Sequence, residues 1–215
     1  MTDRLTLYND ALLVVGHRAL GSLTETNEAR RTLDQAWNSG LGVRTCLEEG
    51  QWKFAMRTVQ LDYDPDVEPS FGFSRAFTKP TDWVVTSAVC EDEYFNEALL
   101  QYNDEAGYWY ADLDTIYVRY VSNDEQYGMN IGRWPESFRE FVAAHLASKI
   151  AWKLGTEDKM KNAKTLRAMA KKTALNKDAM ADPAKILPPG NWSRARTRGS
   201  GRGRGDRGNR TGDLY

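Results

Sequence analysis

The sequence predicts an α+β fold: a helical bundle body, an inserted β-rich domain and an extended basic C-terminal tail. Three observations carry that expectation. Apolar residues recur at helical spacing over residues 3–56 and again over 135–181. Over 57–122 the period drops to two, as in strands. From residue 186 the chain turns Pro-rich and then Gly/Arg-rich, a composition that builds no core.

In chain order, Leu5, Tyr8, Leu12 and Val15 form a helical stripe behind Asp3, a capping residue, and end at Gly16. A second helix is expected from Thr26 or Asn27, with Ala29, Leu33, Ala36, Trp37, Val43 and Leu47 on its apolar side. Gly40 and Gly42 would kink it. Trp52 and Phe54, two apart, suit a helix end leading into extended chain. Val59, Leu61 and Tyr63 then alternate, as do Phe71, Phe73, Arg75 and Phe77. Trp83 to Cys90 reads as a β-rich run, Asn103 to Gly107 as a turn, and Tyr108 to Val121 as two more β pieces around Asp112 to Asp114. That makes about five strands. Residues 122–133 read as a returning loop.

The chain is organised around Trp134 to Leu154, which reads as a central packing helix rather than a site. Pro135 fits the first turn. Phe138, Phe141, Val142, Leu146 and Ile150 form the stripe, flanked by alanines that admit a second helix closely. Gly155, with its access to the left-handed conformation, stops it. Thr156 caps a last helix whose face is Met160, Ala163, Leu166, Ala170 and Thr173. Residues 135–181 thus read as a helical hairpin with a two-residue turn, and His145 and Lys149 within it as structural or surface residues.

The chain has 215 residues, 41% hydrophobic and 11% aromatic, enough for a core. Its net charge of −1 hides an uneven distribution. Residues 57–130 carry fifteen acidic and four basic side chains, and residues 193–215 seven Arg against Asp206 and Asp213. Such a chain should offer different electrostatic faces to different partners. Cys46 and Cys90 make no disulfide framework, which favours a reducing compartment. No apolar run reaches membrane-helix length and the N-terminus lacks signal-peptide character, so no membrane is expected.

Motifs of chemistry are weak. Gly203, Gly205 and Gly208 match the dinucleotide pattern, but without the strand and helix that give it meaning. Asp62, Asp64 and Asp66 occupy positions one, three and five of a calcium loop. Val67 stands where that loop needs Gly, and Phe73 where it needs Glu, so a solvated turn is the expectation, with a partly hydrated cation site as the alternative. No catalytic residue, cofactor site or metal site is assigned, and no enzyme is expected. The Arg tail (Arg194, Arg196, Arg198, Arg202, Arg204, Arg207 and Arg210) has three readings. It contacts phosphate without reading sequence, docks on an acidic protein surface, or solubilises the chain. Trp192, an aromatic beside Pro188, Pro189 and Gly190, reads as an anchor for a partner pocket.

One order of elements is familiar. It runs from Asn9 to Leu12 and Gly16, through Ser22 and Leu23, to a helix ending in Trp52, Lys53, Phe54 and Ala55. It continues through Lys79 to Trp83, Tyr117 to Val121, Trp134 to Phe138, and Leu146 with Ala147. Over roughly residues 5–180 the chain resembles the head-to-tail adaptor (connector) proteins of tailed bacteriophages, of the tail tubular protein A type. The resemblance implies a non-enzymatic virion protein at the head–tail junction, present in the host cytoplasm during assembly. It implies a homo-oligomeric ring of twelve, contacts with the portal protein and with a tail tube or nozzle protein, and double-stranded DNA passing through the channel. Within that reading Asp62, Asp64, Asp66 and Glu68 face the tail side or the channel, where acid repels phosphate. Trp192 and the tail arginines bind the portal, although the tail from Ser193 lies outside the shared pattern. The rival reading is an RNA- or single-stranded-DNA-binding protein acting through that tail. The acidic middle argues against it, and Tyr108, Trp109 and Tyr110 read as strand packing.

Overall fold

The computed structural model describes residues 3–39, 42–69 and 72–181. Trp192, the seven tail arginines, Gly40 and Phe71 lie outside these residues. The fold is α+β: five α-helices and six strands are described, and the residues up to Ala181 form one compact unit.

Helix α1 (Arg4–Val15) starts where Asp3 accepts the Thr6 N–H and ends at Gly16 in the left-handed conformation (φ 68°). Helix α2 (Glu28–Asn38) is capped by Asn27 and α3 spans Val43–Glu48. The expected single kinked helix is therefore two helices. At Gly42 a Cβ would stand 2.9 Å from the Ala36 carbonyl, so the chain folds back tightly on its own backbone there. A 3-10 turn, Lys53–Ala55, replaces the expected helix end.

The strands are β1 (Met56–Asp62), β2 (Arg75–Thr78), β3 (Trp83–Cys90), β4 (Asn103–Glu105), β5 (Tyr108–Ala111) and β6 (Thr115–Ser122). They make two antiparallel three-stranded sheets, ordered β1-β6-β3 and β2-β5-β4. Six strands are described instead of about five, because the expected turn at Asn103 to Gly107 contains β4. Its polar sequence hid it: all three residues are exposed on an edge strand. Phe73 lies before β2, which begins at Arg75. Phe77, Val89, Leu99, Trp109, Ile116, Val118 and Tyr120 form the core the sheets share.

A 3-10 turn at Ile131–Arg133 precedes α4 (Glu136–Leu154), and α5 spans Glu157–Met180. Pro135 sits at the cap of α4, one residue before its first turn. Gly155 is extended (φ −113°) and not left-handed. Its necessity is closeness: a Cβ would stand 2.7 Å from the Ala151 carbonyl and 3.4 Å from Val15 Cγ1. Thr156 makes no side-chain capping bond. On α5 the buried positions are Ala163, Ala170 and Ala174, while Leu166 and Thr173 face outward. Small residues on that face let α5 lie close to α4.

The helical core gathers on α4. Phe138 meets Trp52 (4.8 Å between ring centroids), Phe54 (4.7 Å) and Trp134 (5.1 Å). Trp52 also donates its indole N–H to the Cys46 carbonyl at 2.9 Å, which satisfies its buried polar atom. Val84 and Val121 belong to this same core, so one end of sheet β1-β6-β3 is packed onto the helices.

Candidate functional site

Strand direction places the acidic residues. β1 leaves the helices at Met56 and reaches Asp62, which pairs with Thr115 at the start of β6; Met56 pairs with Val121 at its end. β3 runs the same way, with Cys90 opposite Tyr117. Asp62, the Asp112 to Asp114 turn and the start of the loop after β3 therefore share the end far from the helices. Seven strand residues put about 20 Å between the two ends. The loop carrying Asp64, Asp66 and Glu68 starts at this far end.

The carboxylates there are held individually. Asp62 accepts the Thr115 hydroxyl at 2.7 Å. Asp64 accepts the Thr78 hydroxyl at 2.7 Å and the Asp66 N–H at 3.1 Å. Asp112 accepts the Ser74 N–H at 2.8 Å, and Asp114 pairs with Arg75 at 2.9 Å. The Glu97 N–H, and after it the Asn96 N–H, hold the Asp92 carboxyl below the usual carboxylate range. Asp66 and Glu68 are exposed. Among the described residues no group of three or more His, Cys, Asp or Glu side chains is placed to hold a metal ion. The arrangement is a field of separate negative charges, suited to repelling phosphate or meeting a basic surface.

Three further features were not singled out from the sequence. Lys79 is nearly covered, between the rings of Trp83 (4.0 Å) and Trp109 (5.3 Å), and donates to Asp104 at 2.5 Å and to the Glu105 carbonyl at 2.7 Å. Thr86 and Trp109 also donate to Asp104. Desolvation raises the Asp104 pKa, but Lys79 and Thr86 outweigh it and the carboxyl stays below its usual range. Lys79 on the Trp83 ring and the Thr86 hydroxyl on Asp104 link sheet β2-β5-β4 to β3 of the other. Trp109 is buried and Tyr108 and Tyr110 lie on the opposite strand face, 6.0 Å apart.

The second feature is Asp82, at the seam between sheet and helices. It accepts from Arg57 (2.9 Å), Ser122 (2.5 Å) and Tyr120 (3.1 Å). The third is a groove of about 500 Å³ between α1, α4 and α5. Its apolar lining includes Leu13, Val14, Ala143, Leu166 and Met169, and its rim carries Asp10, Glu136, Arg139 and Glu140. The sequence signal was present: Leu13 lies off the α1 stripe, and Leu166 and Met169 sit one turn apart. Both were open to being read as core.

His145 is buried, and its Nδ1 accepts from Arg167 Nε at 2.8 Å. An accepting Nδ1 means a neutral imidazole with its proton on Nε2. Arg167 also pairs with Glu49, so Arg167 ties α5 to α4 and to the end of α3. Lys149 is exposed. No helix among the described residues is long and apolar enough to cross a membrane. No protein-family model matches the chain, and no curated protein is significantly similar to it.

Proposed function

We propose that the chain is the subunit of a head-to-tail adaptor ring, a structural virion protein that joins a portal to a tail and continues the DNA channel. The observation that carries this reading is the separation of charge along the β-rich insertion. Its helical end is packed into the body, and its far end presents Asp62, Asp66, Asp112 and Asp114 with few cations among them. A channel wall or tail platform of this kind sheds DNA. The finer architecture belongs to the same proposal: a bundle body of 3–56 and 135–181, the insertion at 57–122, and a tail from 186 that reaches the portal. In that tail Trp192 fills a portal pocket, and the seven arginines make charge-assisted contacts.

Two measurements test the reading. Native mass should approach twelve times the 24.4 kDa of the chain. A chain truncated after Gly190 should fold and form the ring but fail to bind portal. A particle that stays at one chain mass with and without portal removes the proposal. The seven-arginine tail favours one rival, nucleic-acid binding through charge. A full-length chain that stays monomeric and binds single strands with steep salt dependence would establish that rival instead.

A further inference from the structure

The groove between α1, α4 and α5 and an exposed tryptophan on α4 differ in charge and lie on different sides of α4. Trp152 is 75% exposed, an unusual place for the largest apolar side chain. Lys149, one turn before it, is also exposed, and Lys153 follows it. The groove has the opposite character. Leu13 (77% exposed) and Met169 (61% exposed) line it, and Asp10, Glu136 and Glu140 rim it. We propose that Trp152 of one copy of this chain enters the groove of a second copy. The proposal rests on the ring reading and names the faces by which neighbours meet.

Three points support the match. First, the indole would find partners for all its parts. Its flat faces meet the apolar lining, its N–H meets the Asp10 or Glu140 carboxylate, and Lys149 meets the acidic rim. Second, Arg139 lines the groove with a buried Nε that has no hydrogen-bond partner among the described residues. An indole face against that guanidinium supplies a cation–π contact. Third, the two faces point apart. Nine residues separate Ala143 in the groove from Trp152, about two and a half helical turns. Knob and groove therefore stand on opposite sides of α4. A contact between unlike, opposed faces is heterologous, and it propagates from copy to copy until the series closes as a ring.

The experiment uses the full-length chain and sedimentation to measure assembly, with thermal melting to check folding. Trp152→Ala and Met169→Glu alter exposed positions, so both variants should melt like the parent. Each should lose at least about thirtyfold in association constant, the scale of a tryptophan hot spot. Mixed together, they should form a one-to-one dimer and nothing larger, because only the knob of one and the groove of the other remain intact. Glu140→Lys should weaken assembly, and Lys149→Glu in the same chain should restore it. Assembly of Trp152→Ala at parental strength overturns the knob and leaves the ring reading standing. A mixture that stays monomeric overturns the heterologous pairing. A parent chain that never assembles, alone or with portal, removes both.

Discussion

At Asp82 one carboxylate takes three donors from two strands. Arg57 comes from β1, Tyr120 and Ser122 from β6, while the Asp82 carbonyl accepts the Asn123 N–H at 2.9 Å. Desolvation pulls its pKa up, but the Ser122, Arg57 and Tyr120 hydrogen bonds outweigh it, so the carboxyl lies below its usual range. A group with a depressed folded pKa contributes stability above its unfolded value, lost as pH falls through the folded one. Asp82→Asn should therefore cost about 2 kcal/mol at neutral pH. It should also flatten the loss of stability below about pH 4. Urea unfolding at pH 7 and at pH 3 checks both. Nearby, a Cβ on Gly128 would stand 2.1 Å from the Ser122 carbonyl, and the Gly128 carbonyl accepts the Trp134 indole N–H at 2.8 Å. Gly128→Ala must displace backbone at the seam, and should cost more than about 2 kcal/mol in the same assay.

Among the elements, α4 carries the helical body. Its buried side includes Phe138, Phe141, Leu146 and Ile150, and its neighbours are α1, α2, α3 and α5. Phe138 is the hinge of the aromatic cluster, since Trp52, Phe54, Trp134 and Phe141 all lie against it. Phe138→Ala should destabilise by about 3–5 kcal/mol through lost transfer energy and the cavity left behind. The midpoint of denaturant unfolding reads it directly. By contrast, α5 buries only alanines and is held at its sides, by Arg167 and Lys171 on Glu49 and by the Lys53 N–H on Asp178. Arg167→Met should cost about 2 kcal/mol, because Glu49 keeps its burial and loses its main partner. The check is the same unfolding measurement, with Phe138→Ala as the reference for a core loss.

Across the described residues, the sheets run from the helical core to a far end where acidic side chains gather. Asp66 and Glu68 are exposed, so Asp66→Lys with Glu68→Lys should change stability by no more than about 0.5 kcal/mol. Asp64→Ala should cost about 1 kcal/mol, because Thr78 and the Asp66 N–H lose their acceptor. If the far end faces DNA or a tail protein, the double lysine variant should assemble normally yet slow DNA passage or weaken tail attachment. Unchanged infectivity of a phage carrying it would argue against that role.

The sequence alone determined the α+β class, both ends of β3, the cap and stop of α1, and the course of α4. Each rests on local physics: a hydrophobic period, a capping side chain, a turn residue. Tertiary contact decided the rest. Whether Gly42 kinks or breaks a helix depends on how closely it returns to the Ala36 and Trp37 backbone. Whether Leu166 is core or groove depends on where α1 lies beside α5. An edge strand as polar as β4 exists only because β5 lends it hydrogen bonds. The acidic residues were visible as a composition, but their gathering at one end follows from strand direction and pairing. The groove and its opposition to Trp152 need three helices in place at once. Periodicity says which side of a helix is apolar; only packing says which apolar side is left uncovered.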